Sequence, residues 1–160
     1  MEAKDINKVL IIGSGTMGKH IGLQHALFDC DVVLYDIDEE ILQRALVHIT
    51  KIAARLARQG YITEERAAEA VKRIKATTDI AEACNGVQLV SESVPENVVL
   101  KQKVWKQFDE YLPADAILTT NTSTLVASQF AEASGRPERF LAWHFHLPVY
   151  NANVVDVMPH

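Results

Sequence analysis

The chain has 160 residues, 48% of them hydrophobic, with 21 acidic and 16 basic side chains and a formal net charge of −5. This length suits one domain with a buried core and leaves no room for a second, and the acidic balance argues against nucleic acid or an anionic membrane surface as the main partner. Apolar runs fall well short of the roughly 20 residues that span a bilayer, the start Met1-Glu2-Ala3-Lys4-Asp5-Ile6-Asn7 is too polar for a signal peptide, and the isolated Cys30 and Cys84 lack metal-ligand spacing, so a soluble cytoplasmic protein with reduced, packed thiols is expected.

The first element is a strand over 8–12, Lys8-Val9-Leu10-Ile11-Ile12, which runs straight into Gly13-Ser14-Gly15-Thr16-Met17-Gly18 and a helix over 16–28. The first glycine permits a tight turn, the second lets backbone approach a pyrophosphate, and the third lets the helix pack close to the strand. The helix N-terminus then offers free N–H groups and a positive dipole end to the phosphates. A second strand over 31–36 ends on Asp36, 18 residues after Gly18, where a carboxylate accepts from the adenosine ribose hydroxyls and repels a 2′-phosphate. Residues 37–40 are Ile-Asp-Glu-Glu with no arginine, so NAD is expected over NADP. Gly13, Ser14, Gly15, Thr16, Met17, Gly18 and Asp36 are the candidate cofactor residues of this unit.

A helix from Asp38 to Gln59 follows, capped by Asp38, with Glu39 and Glu40 in its first turn, Gly60 past its end and a core face of Ile41, Ala45, Ile49, Ile52 and Leu56. A second helix is predicted from Thr63 to about Ile74. The pair reads as a protruding helical hairpin inserted after the second strand. Strands are then expected at 76–78 and 87–91, a helix over 96–111 with Val104, Trp105, Phe108 and Tyr111 on one face, strands at 116–119, 140–143 and 153–157, and a helix near 124–131. Near-continuous apolar strands suit a sheet covered on both faces, so the expected class is α/β, a Rossmann-type doubly wound and mostly parallel sheet.

Polar residues gather at the carboxyl ends of these strands, the edge where ligands bind in open α/β folds. His144 closes the strand Phe140-Leu141-Ala142-Trp143. Imidazole ordinarily titrates near neutrality and so suits the removal and return of a hydroxyl proton. Ser93-x-x-Glu96, with Pro95 early in the helix, reads equally as a capping box, and Asn121 and Ser123 read equally as caps of a helix starting near Thr124. A metal reading of His144-x-His146 with His160 nearby is set aside, because no second acidic or sulfur cluster accompanies it.

Taken in order, Gly13-x-Gly15-x-Met17-Gly18, Tyr35-Asp36, Ser93-Val94-Pro95-Glu96-Asn97 with Lys101, Asn121-Thr122-Ser123 and His144-Phe145-x-x-Pro148 resemble the NAD-binding domain of the 3-hydroxyacyl-CoA dehydrogenase family. The resemblance covers essentially the whole chain, hairpin included. It implies NAD-dependent interconversion of a 3-hydroxyacyl and a 3-oxoacyl thioester, or, as in some relatives, oxidation of another 3-hydroxy acid such as carnitine or gulonate. His144 is then the base, Asp156 supports its imidazole, Ser123 binds the reacting oxygen, Asn121 supports cofactor or substrate, and Glu96 and Lys101 lie near the nicotinamide. Arg44, His48, Lys51, Arg55 and Arg58 share one helix face, which is either an ordinary solvated face or, at Arg55 and Arg58, a site for coenzyme A phosphates.

Two of the departures from the family pattern bear on the site. Asp156 stands where a glutamate is usual and is one methylene shorter. Leu147 replaces the amide of the usual His-Phe-Phe-Asn-Pro run, offering neither donor nor acceptor. The family also implies a helical C-terminal domain for substrate binding and dimerisation, which these 160 residues do not include. An acyl-CoA partner and a homodimer in a longer form follow from it, and a non-catalytic NAD-binding module is the competing reading.

Overall fold

The computed structural model describes residues 3–152 and 154–160. Its first three strands, β1 (Lys8–Ile12), β2 (Asp31–Tyr35) and β3 (Ile74–Thr77), step outward on one side of β1, while β4 (Leu89–Glu92), β5 (Ile117–Thr120) and β6 (Phe140–Phe145) step outward on the other. All six are parallel, and β7 (Val155–Pro159) returns antiparallel along β6. The direction of stepping reverses between β1 and β4, and in such sheets the crevice at the carboxyl ends of the reversal point is where ligands bind.

Side chains of a strand alternate between faces, and β1 divides accordingly. Val9 and Ile11 join one core with α1 (Thr16–Leu27), α2 (Glu39–Arg58) and α3 (Glu64–Lys72). Leu10 and Ile12 join the other, with α4 (Ile80–Cys84) and α5 (Val98–Asp109). The doubly wound arrangement therefore follows from a strand that is apolar at every position from Val9 to Ile12. Asp38 accepts from the Glu40 and Ile41 N–H groups and Thr63 accepts from that of Arg66, so both hairpin helices start where expected.

The hairpin does not stand clear of the sheet. Leu42, Ala45, Ile49, Ile52, Ala53 and Leu56 are buried, and the apolar stripe belongs to the same core as Val32 and Leu34. Leu42 takes the inward position expected for Ile41, which is only half-buried. Strand β3 begins two residues before the predicted 76–78, because Ile74 pairs with Val32 and is buried. Tyr111 lies beyond α5 and is exposed.

The segment near 124–131 is not an α-helix. It forms short 3-10 turns at Ala127–Gln129 and Ala131–Ser134, where β-branched Thr124 and Val126 and the serines favour turns over helix. Asn153, the predicted start of the last strand, lies outside the described residues, and β7 begins at Val155. Cys30 and Cys84 are free thiols, and burial pushes Cys84 up to about 12. Among the described residues no helix is long and apolar enough to cross a membrane.

Candidate active site

At the end of β1, Gly13 turns with φ of +95° and its N–H donates to the Tyr35 carbonyl at 2.8 Å. Gly18 brings α1 against this turn so closely that a Cβ there would sit 1.9 Å from the Gly13 carbonyl oxygen. Gly18→Ala is therefore expected to displace the helix N-terminus and abolish NADH binding in a fluorescence titration, whereas Lys103→Ala, an exposed position away from the cleft, should leave that binding intact. Gly15 differs from both. No atom lies within 4 Å of where its Cβ would stand, so its backbone is bare, as a pyrophosphate cradle requires.

Asp36 is held by the turn itself. Its Oδ2 accepts from the Ser14 N–H and hydroxyl, both at 2.9 Å, and its Oδ1 accepts from the Ile37 N–H at 2.9 Å. An ionised carboxylate accepts about four such bonds, so capacity remains for a ribose hydroxyl. Ser14 is buried, its hydroxyl donates to Asp36, and it is not among the residues that line the cleft. A cleft of about 620 Å³ runs from Gly13, Gly15, Met17 and Asp36 past Glu96 to Asn121 and Ser123. Its bare glycine backbone, helix N-terminus and terminal carboxylate fit a dinucleotide.

Behind the cleft wall is an ionic network that strand patterning missed. Glu92, last residue of β4, and Lys101 on α5 are both fully buried, with Lys101 Nζ 2.6 and 2.9 Å from the two carboxylate oxygens. The Thr120 hydroxyl and the Val94 N–H also donate to Glu92, at 2.6 and 2.7 Å. Burial pushes the Glu92 carboxyl up, against the pull of Lys101 and these donors. The sequence signal was an acid closing the strand run Leu89-Val90-Ser91, nine residues before Lys101. Lys101, expected near the nicotinamide, is buried against Glu92 and meets residues of the cleft wall at the Val94 carbonyl, 3.4 Å away, and at Glu96 Oε2, 3.5 Å away.

Glu96 does not close a capping box. Asn97 caps α5 by accepting from Leu100 N–H at 2.9 Å, which frees Glu96 to accept from the Thr122 hydroxyl and the Ser123 N–H, each at 2.8 Å. Burial alone would raise its carboxyl, but Thr122, Ser123 and Lys101 outweigh burial and hold it below the usual range. Asn121 and Ser123 are not helix caps either. Asn121 Oδ1 accepts from the Phe145 N–H at 2.8 Å, tying the end of β5 to the end of β6.

Ser123 Oγ lies 2.9 Å from His144 Nε2. On the other side of that ring, Asp156 is the cross-strand partner of His144 in the β6–β7 ladder. Its Oδ2 stands 3.4 Å from His144 Nδ1 and 2.7 Å from His146 Nε2. The two imidazoles, His146 before His144, hold the Asp156 carboxyl below its ordinary value. His160 lies elsewhere, against the Pro137 carbonyl and the Phe140 ring. Arg55 and Arg58 are exposed on α2 and do not line the cleft.

The family described as 3-hydroxyacyl-CoA dehydrogenase, NAD binding domain, matches residues 8–160. The chain belongs to this family. It is 35% identical over 98% of its length to the fatty acid oxidation complex subunit alpha of Pseudomonas paraeruginosa, of which it covers 22%. Among solved structures, 3-hydroxybutyryl-CoA dehydrogenase from Escherichia coli K12 superposes with a TM-score of 0.90 at 34% identity, covering 95% of this chain and 32% of that one. A diketoreductase acting on dicarbonyl compounds superposes equally, with a TM-score of 0.90 at 32% identity, over 95% of this chain and 54% of its own. The chain thus spans about a fifth of the curated relative's length, 22%. The chain is accordingly a Rossmann-type NAD-binding domain of the 3-hydroxyacyl-CoA dehydrogenase family.

Proposed function

We propose that this domain serves hydride transfer between NAD and the C3 carbon of a 3-hydroxyacyl-CoA. The observation that carries the reading is the 2.9 Å contact between Ser123 Oγ and His144 Nε2, at the end of a cleft that starts on the glycine turn. Bound NAD supplies the hydride acceptor. His144 Nε2 takes the 3-hydroxyl proton, which requires the ring's own proton to sit on Nδ1, the nitrogen facing Asp156. Ser123 Oγ hydrogen-bonds the reacting oxygen, and Glu96 fixes Ser123 through its backbone N–H. Asp156 stabilises the imidazolium that forms. Lys101 acts as a positioning residue through Glu96.

The reading includes a helical domain that completes the substrate pocket and provides a dimer interface. Leu147, Val157 and Met158, all exposed near His144 and Asp156 in sequence, are surface it would cover. The same reading assigns the reaction to the cytoplasm, where both thiols stay reduced. A second reading, oxidation of a 3-hydroxy acid without coenzyme A, is favoured by the apolar, half-exposed Leu147 beside the site and by the position of Arg55 and Arg58 away from the cleft. The likeness to the diketoreductase adds to it.

The test assays the longest natural form with NAD against 3-hydroxyacyl-CoAs, carnitine and sugar acids. Turnover of the thioesters supports the first reading, turnover of free acids alone the second, and NADH binding without turnover of any substrate contradicts both. The 160-residue chain by itself is expected to bind NADH and turn over acetoacetyl-CoA slowly or not at all.

A further inference from the structure

Two imidazoles converge on one carboxylate oxygen at the exposed end of the β6–β7 hairpin. Asp156 is directly opposite His144 in the ladder, and His146 follows His144 by two residues, the spacing that returns a side chain to the same face of a strand. The two rings lie 4.4 Å apart between centroids, tilted by 57°. One nitrogen from each histidine and one oxygen of Asp156 all lie within 4.8 Å of one another. The acid that the spacing of the histidines did not supply comes back from ten residues beyond His146, through the antiparallel return of the chain.

We propose that His144 Nδ1, His146 Nε2 and Asp156 Oδ2 form a binding site for a divalent transition-metal ion of the zinc class, and that its occupancy disables His144 as a base. In tetrahedral zinc sites the metal–ligand bonds of about 2.0–2.2 Å put neighbouring ligand atoms roughly 3.3 Å apart. The 3.4 Å between His144 Nδ1 and Asp156 Oδ2 already has that spacing. The 2.7 Å between His146 Nε2 and Asp156 Oδ2 is a hydrogen bond that the ion replaces, with a slight opening. Three protein ligands leave a fourth position for water, and two imidazoles with one carboxylate select zinc, copper or nickel over magnesium and calcium.

The surroundings suit a ligand site. His144 keeps its other nitrogen against Ser123 Oγ at 2.9 Å, the outer-shell partner that fixes the ring of a metal-bound histidine. His146 and Asp156 have side chains 41% and 51% exposed, so the ion enters without any opening of the fold. With the Nδ1 lone pair on the metal, the ring proton resides on Nε2. That nitrogen then donates to Ser123 and no longer accepts a proton from a substrate hydroxyl. The binding claim stands on the ligand geometry alone; the inhibition claim rests on the dehydrogenase reading above.

The test is calorimetric titration of the untagged chain with Zn²⁺, together with Co²⁺ as a visible-absorption probe of coordination. One equivalent should bind, and Co²⁺ should show the intense bands of a four-coordinate site. His146→Phe and Asp156→Asn should each weaken binding by more than the roughly 10- to 100-fold that loss of an outer-shell partner costs, with NADH titration showing that the variants are folded. Absence of binding, or affinity unchanged in both variants, overturns the site. In the longest natural form, Zn²⁺ should inhibit the wild type far more than His146→Phe, and equal inhibition overturns the link to catalysis. If no substrate is turned over even without zinc, the dehydrogenase reading fails while the calorimetry still decides the site.

Discussion

Replacing His144 with alanine is expected to lower kcat for NADH-linked reduction of acetoacetyl-CoA by the longest natural form about 10²- to 10⁴-fold, the range that general acid–base groups supply. Neither Ser123 nor Asp156 takes over. Ser123, the hydroxyl 2.9 Å from Nε2, is too weak a base at neutral pH without an imidazole to receive its proton. Asp156 approaches the ring from the Nδ1 side, away from Ser123. His144 lies outside the cleft lining, which ends at Ser123, so NADH affinity should hold while kcat falls. Stopped-flow absorbance at saturating substrate separates the two, and a kcat loss under about tenfold would remove His144 from the role of base.

The largest stability effect is expected at Lys101. In Lys101→Met the carboxylate of Glu92, fully buried, loses the ammonium that stands 2.6 Å away. Breaking a buried pair by removing one partner costs about 3–5 kcal/mol, and at roughly 2–4 °C per kcal/mol for a domain of this size the melting temperature should fall by on the order of 10 °C. The pH dependence has a definite sign. Burial already pushes Glu92 up in the wild type, and loss of Lys101 pushes it further. A carboxyl raised above its unfolded value favours the folded state as it takes up a proton. The deficit should therefore shrink as pH falls toward the acid range and grow as pH rises. Lys101→Met with Glu92→Gln should recover much of the loss, because no buried charge remains. Equal melting of Lys101→Met and the wild type, by circular dichroism, would mean that the pair contributes nothing.

The first half of the fold was legible because its signals are local. The apolar β1, the glycines, the Asp38 and Thr63 caps and the acid closing β2 each act within a few residues of themselves. The sequence left alternatives open where a local device competes with a distant partner. Ser93-x-x-Glu96 has the spacing of a capping box, yet Thr122 and Ser123 claim the Glu96 carboxylate and Asn97 does the capping. Lys101 has the position of a cofactor contact, but its partner Glu92 lies inside the fold. The convergence of His144, His146 and Asp156 depends on the β6–β7 register, which no short-range pattern in the sequence encodes. Asp156, where the resemblance leads one to expect a glutamate, stands 3.4 Å from His144 and 2.7 Å from His146, so the acid is shared between two histidines.

The central claim is that the glycine turn aims a nicotinamide at Ser123 and His144. Its most direct test is an amide and imidazole NMR titration of this chain with NADH. Resonances of Gly13 to Gly18 and of Asn121, Ser123 and His144 should shift together along one binding curve, with NADPH far weaker because Asp36 opposes a 2′-phosphate. Shifts confined to the glycine turn, with Ser123 and His144 unmoved at saturation, would contradict it.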